Sequence, residues 1–437
     1  MHKYSKLVPM VLATALGGLA GCVDDTNATN TDDGGVGDND EVVGEISEDT
    51  TWSSDKILGG IVTVTNGAVL TVEPGVTVRG KTGSALVVAQ GSRLEAVGSK
   101  DAPIVFTSAE AAGGRSRGDW GGIVLLGKAA TNLEGGTGLA EGLEKNSEYG
   151  GAGSPDKAYS CGTLKWLRVE FAGFELTTDN ELNGITFYSC GTATVVDYVQ
   201  VHMGDDDGIE SFGGAWDGKH IVITGAADDS LDFDQGYAGK LQYVFIQQDP
   251  GVGNYGLEWS NQAVDFDASP RTHPTLANAT LIGAGGANDT KSGGIKLKEG
   301  VSAEIHNTIV TNFYNAQVEL TEQATQDQAD AGAIAITDSL FFNNALKDAG
   351  ASLYTVTEGT DYDLKGLVED AGNNNLLGVD PKLGSIAWGK PDIVPAAGSP
   401  VLGAGRPVAG LETTDFIGAV KDSASDWTTG WTSFAIN

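Results

Sequence analysis

From Ile57 onward the chain alternates apolar and polar residues in short runs rich in Val, Ile and Leu, such as Ile61-Val62-Thr63-Val64, Val69-Leu70-Thr71-Val72, Val76-Thr77-Val78 and Ile104-Val105-Phe106. Gly, Asn and Asp separate the runs, so they predict strands joined by tight turns. One phrase then recurs, consisting of a turn residue, an apolar anchor, an outward residue and usually a second apolar residue. Its anchors are Ile185, Ile209, Leu231, Leu257, Ile295 and Val318, spaced 24, 22, 26, 38 and 23 residues apart. Apart from one longer step, that period is one coil of a parallel β-helix with variable loops. A second series, from Leu167-Arg168-Val169 through Val199-Gln200-Val201 to Ser339-Leu340-Phe341, supplies at least one further strand per coil. Inward residues of such a solenoid stack about 4.8 Å apart. Phe187, Phe212, Phe233 and Trp259 are the expected inward aromatic series, and Asn278, Asn307 and Asp338 an expected polar turn ladder.

The first fifty residues break this pattern. Basic His2, Lys3 and Lys6 precede an apolar run ending in Leu19-Ala20-Gly21-Cys22, which reads as a lipoprotein export signal over residues 1–21 with lipidation of Cys22. Residues 22–50, rich in Asp, read as a flexible acidic tether. The β-helix is expected over 51–375, followed by a C-terminal coil and capping segment over 376–437. Its tryptophan-rich end, with Trp427 and Trp431, is expected to cover the last coil.

Composition narrows the partners. With 59 Asp+Glu against 26 Lys+Arg, the formal charge is -33, which repels nucleic acid and anionic lipid and makes cations the natural counterparts. Solubility in a salty habitat accounts for the same charge. Besides Cys22 only Cys161 and Cys190 occur, in the matching phrases Ser160-Cys161-Gly162-Thr163 and Ser189-Cys190-Gly191-Thr192. In an exported chain they are candidates for a disulfide, with two buried thiols as the alternative.

Several phrases together resemble a family of bacterial lipoproteins with right-handed β-helix repeats, within the pectate-lyase-like group of folds. They are Glu73-Pro74-Gly75-Val76-Thr77-Val78, Pro103-Ile104-Val105-Phe106-Thr107-Ser108, Gly118-Asp119-Trp120-Gly121-Gly122-Ile123 and Gly204-Asp205-Asp206-Asp207-Gly208-Ile209-Glu210. Gly378-Val379-Asp380-Pro381 and Asp426-Trp427-Thr428-Thr429-Gly430-Trp431 extend the likeness to the end of the chain. It implies an all-β, right-handed parallel β-helix and carries no particular activity.

Two formula matches fail on context. Gly75 to Thr82 fits the phosphate-binding loop, but strands surround it where a helix must follow. Gly114-Arg115-Ser116-Arg117-Gly118 fits the nucleophile elbow without the strand and helix that aim the serine. The histidines show no paired spacing for zinc.

The chemistry concentrates between Gly204 and Gly236. Asp205, Asp206, Asp207 and Glu210 in one coil are followed by Asp228, Asp229, Asp232 and Asp234 in the next. Aligning the two phrases stacks Asp206 on Asp228, Asp207 on Asp229 and Glu210 on Asp232, with Glu258 one coil beyond. Two carboxylates about 4.8 Å apart repel by roughly 3 to 4 kcal/mol at an effective dielectric near 20. Bound Ca²⁺, a basic partner among Lys219, Lys240 and Lys296, or raised carboxyl pKa values would relieve that.

Three readings follow. The first is a lipid-anchored outer-membrane protein, surface-exposed or facing the periplasm, that binds glycans or cell-surface partners and is stabilised by Ca²⁺ at the eight acids. The second is a polysaccharide lyase or glycoside hydrolase with Asp207 and Asp229 as catalytic residues. The third is a passive envelope spacer. Tyr237, Tyr255 and Trp259 are candidates for stacking on sugar rings.

Overall fold

The computed structural model describes residues 40–143, 145–177, 180–285, 292–358 and 362–437. The export signal, Cys22 and the tether as far as residue 39 lie outside the described residues. The rest winds as a parallel β-helix in which 26 strands form one continuous sheet. The six apolar anchors stack in register as expected, Ile185 on Ile209, Leu231, Leu257, Ile295 and Val318, all fully buried. The 38-residue step is still one coil, because Leu257 pairs directly with Ile295 and the extra residues loop out between Ser260 and Thr275.

The second series forms longer strands, Gly162–Glu170, Val195–His202, Asp217–Thr224, Lys240–Gln247 and Thr275–Ile282, and each bends at one left-handed residue. These are Trp166, Tyr198, His220, Tyr243 and Asn278 (φ 51, 55, 52, 61 and 53°), continued by Asn307 and Asp338 in later coils. The bend turns one strand into two faces of the coil. Positive φ suits Asn and Asp, whereas a bulky side chain there costs about 1–2 kcal/mol, so the four ring-bearing bends are strained. The expected polar ladder is present in part. Its amides reach beyond their own turns, Asn278 Nδ2 donating to Phe416 O (2.9 Å) and Asn307 exchanging two hydrogen bonds with the backbone of Arg406.

Three expectations are corrected. The solenoid begins before residue 51: strand Glu41–Ile46 pairs with Lys56–Val64, and Thr50–Trp52 pairs with Val69–Val72. Val42 and Ile46 pack on the core while Glu41 and Glu45 face outward, and a ready-made strand edge supplies their backbone partners. Second, Phe212 leaves the inward series. Strand alternation puts Ser211 between Phe187 and Phe233 and turns Phe212 outward onto Tyr188 (4.6 Å). Trp216 fills the room above the serine, 4.4 Å from Phe187, its Nε1 donating to Ser211 Oγ at 3.1 Å.

Third, the tryptophan-rich end does not cap the last coil. Leu376–Leu377 does continue the helix by pairing with Leu340–Phe342, but buried Leu364 and Val368 of helix Leu364–Glu369 close the late end of the core. Residues beyond run back along the flank as a strap. Trp431 meets Trp166 and Tyr198 edge-on at 5.6 and 6.1 Å, and Trp427 meets His220 at 5.1 Å. The strap backbone has few strand partners, so amide side chains match it in pairs, Gln200 with Ser433 and Gln242 with Glu412.

Cys161 and Cys190 are joined in a disulfide between neighbouring turns, Cα atoms 5.7 Å apart, closing a sequence separation of 29 residues. Replacing both by Ala is expected to cost about 3 to 4 kcal/mol from loop-closure entropy. Urea unfolding checks this, and an unchanged midpoint would mean the turns hold without the bond.

Candidate cation site

The acids sit on two parallel ladders. At the turn entering each strand, Asp207 N–H donates to Asn183 Oδ1 (3.2 Å), Asp229 N–H to Asp207 Oδ1 (2.8 Å) and Tyr255 N–H to Asp229 Oδ1 (2.5 Å). One oxygen of each aspartate therefore holds the backbone of the next coil, a task Asn183 performs with an amide. On the outward strand positions Thr186, Glu210, Asp232, Glu258, Lys296 and Glu319 stand in register. The two ladders lean together into three groups of carboxylate oxygens that converge within 4.8 Å. The groups are Asp206, Asp207 and Asp228, then Asp207, Glu210 and Asp232, then Asp229, Asp232 and Glu258.

The expected stacking thus appears, with exceptions. Asp205 is exposed and joins no group, its carboxylate lying against Gly118. Asp234 also stays apart and accepts the N–H of Gln235. Glu258 belongs to the cluster. Of the expected basic partners, Lys219 pairs with Glu412 and Lys240 donates to Ala409 O on the strap flank, away from the acids. Lys296 does reach Glu258 (3.0 Å), and Lys298, which the sequence reading missed, binds the other oxygen of Glu258. Both lysines meet one acid, and a strand-face alternation counted from Ile295 would have placed them on the acid side.

Asp207 and Asp229 are 6% and 4% exposed, too enclosed to meet a polymer directly. Burial raises the carboxyl pKa values of Asp207, Glu210, Asp229 and Asp232 well above the ordinary range, and their mutual repulsion adds to it. Burial works the same way on Glu258, but Lys298 and Lys296 outweigh it and hold that acid below its usual value. Burial pushes Asp234 up to about 6. Asp232 Oδ1 is sealed from solvent and accepts no hydrogen bond. A buried carboxylate oxygen without a donor is costly unless a proton or a cation meets it.

The sign of the pH dependence follows. A carboxyl whose folded pKa is raised stabilises the fold fully below its unfolded pKa near 4, and that stability is lost as pH rises through the folded value. For Asp234 the window runs from 3.8 to about 6, and the four clustered acids act in the same direction. Glu258 acts oppositely, but its window lies below its ordinary value. Chelator-treated protein is therefore expected to melt at falling temperature as pH is raised from about 5 to 8. A melting temperature that rises across this interval would contradict the assignment.

An apolar wall borders the acids. Residues of the insertion between Leu126 and Gly162 fold over the outward face, where Tyr149 packs on Tyr188 and its hydroxyl donates to Gln235 Oε1 at 2.7 Å. Of the sugar-stacking candidates, Tyr237 and Trp259 are fully buried in the core. Tyr255 reaches the surface, but Lys296 Nζ lies over its ring at 4.9 Å and its hydroxyl donates to Glu319.

A family model described as a pectate-lyase-like β-helix domain matches residues 44–388. The crystal structure of a pectate lyase, Pel9A, overlays on 88% of this chain and 86% of its own, at 8% identity and a TM-score of 0.36, a likeness too slight to carry an argument. No curated protein matches the sequence.

Proposed function

Because the chain belongs to the pectate-lyase-like β-helix domain family, a fold that serves many ends, we propose a function from its acidic column: a Ca²⁺-stabilised binding module of the cell envelope. The observation that carries this reading is Asp232, which offers an oxygen to the converging group of Asp207, Glu210 and Asp232 and whose Oδ1 is sealed and without a donor. Lys296 and Lys298 form their ion pairs with Glu258, and although Lys298 also attracts Asp232 electrostatically, neither lysine pairs with the middle group. Calcium suits it, taking six to eight hard oxygen ligands from carboxylates, carbonyls and water in adaptable geometry. Binding fits better than catalysis by Asp207 and Asp229, since both are enclosed and one oxygen of each holds a turn. The Leu19-Ala20-Gly21-Cys22 phrase supports attachment to the outer membrane through a lipid on Cys22, with glycans or cell-surface groups as partners.

Calorimetric titration of Ca²⁺ into the wild type and into an Asp207→Asn, Asp229→Asn double variant tests the reading. Asn keeps the turn bonds, as Asn183 does, so the variant removes charge without removing the ladder. The expected result is saturable binding to the wild type that the variant loses. Heat from neither protein would leave the passive spacer as the better account.

A further inference from the structure

A second site lies on the strap flank, away from the acidic column. Trp166, Tyr198, His220 and Tyr243 occupy successive bends and stack ring on ring at 3.7, 4.1 and 5.1 Å, with planes 12 to 13° apart. The same bend carries Asn278, Asn307 and Asp338 in later coils. Positive φ is easy for those residues and strained for the aromatic ones. Packing accounts for the first two rings, which Trp431 covers edge-on. It does not account for Tyr243. Beside that ring a cleft of about 320 Å³ opens between the ladder and the strap, bounded by Tyr198, His220, Tyr243, Phe416 and Trp427. Its volume is at the lower end for small-molecule sites, room for a single ring with its substituents.

The polar groups select the ligand. Glu412 and Asp422 offer acceptors, and Lys421, which Asp415 holds by two hydrogen bonds, keeps one N–H to donate, while the Ser425 hydroxyl is engaged by Asp422 and offers its lone pairs. Tyr243 donates its hydroxyl to Glu412 Oε2 (3.2 Å), whose other oxygen takes Lys219. An organic anion would meet two carboxylates and a chain of charge -33. An organic cation would meet Lys421 and Lys219. A purely apolar ring would use none of these polar groups. A neutral sugar ring has apolar C–H faces for Trp427 and Phe416, and hydroxyls that both donate and accept.

We propose that this cleft binds a neutral pyranose. The proposal does not rest on the acidic column, and chelators are expected to leave it unaffected. Saturation-transfer NMR and tryptophan fluorescence with methyl glucoside, methyl galactoside and methyl mannoside test it, with tetramethylammonium and galacturonate as charged probes. At least one neutral glycoside is expected to bind, with affinity about tenfold weaker in Tyr243→Asn, the loss of one aromatic contact. The Asn fits the bend, so the melting temperature should not fall. Glu412→Gln, on the exposed strap, provides a second variant and should weaken binding likewise. The proposal is overturned if no neutral glycoside binds, if both variants bind as the wild type does, or if only a charged probe binds.

Discussion

Asp232→Asn is expected to raise the melting temperature of the metal-free protein while abolishing the further rise that Ca²⁺ gives the wild type. Asp232 belongs to two of the three oxygen groups, in register with Glu210 on one side and Glu258 on the other. Burial first, then Glu258, Asp234 and Asp228, raise its pKa, so without a cation the fold must either protonate the group or accept repulsion. Removing the charge should gain on the order of 1–2 kcal/mol near neutral pH, less than the full Coulomb cost of a stacked pair because part of the population already carries a proton. Lys298 opposes the gain by losing one of its anionic neighbours, but Glu258 still holds it. For a solvated turn residue the change would stay within about ±0.5 kcal/mol and be indifferent to calcium. Thermal melts of both proteins with chelator and with Ca²⁺ distinguish the cases.

Trp216→Ala carries the other large effect. The indole is fully buried, stacks on Phe187, meets Phe233 and Tyr237, and donates to Ser211 Oγ. Emptying such a site typically costs about 3 to 5 kcal/mol. Phe212→Ala should cost less, since Phe212 lies outside the coil on Tyr188 and is only half-buried. Equal costs in urea unfolding would contradict the placement of Ser211, not Phe212, in the core column.

These two residues show where the sequence was legible. The coil, its period and the pairing of Glu210 with Asp232 could be read because a phrase repeats at a near-constant step, and a parallel solenoid converts equal steps into contact. Trp216 could not, because it comes from a turn and fills a gap left by a small inward residue of its own coil, Ser211. Lys298 was legible in principle, since it lies two residues from Lys296 on the same outward face of strand Gly293–Lys298. The strap follows no period at all. Its place is fixed by amide side chains such as Gln200, Gln242 and Asn307 bonding its backbone, a code that hydrophobic alternation does not carry. The start of the solenoid at Glu41 was masked by the acids that surround Val42 and Ile46.

The central claim is that a cation occupies the middle oxygen group. Crystals of the protein grown with Ca²⁺ and measured at a wavelength where calcium scatters anomalously test it directly. The account expects a peak about 2.3 to 2.6 Å from carboxylate oxygens of Asp207, Glu210 and Asp232. An anomalous map with no peak among these three residues, at a calcium concentration that saturates any binding seen in solution, would contradict it.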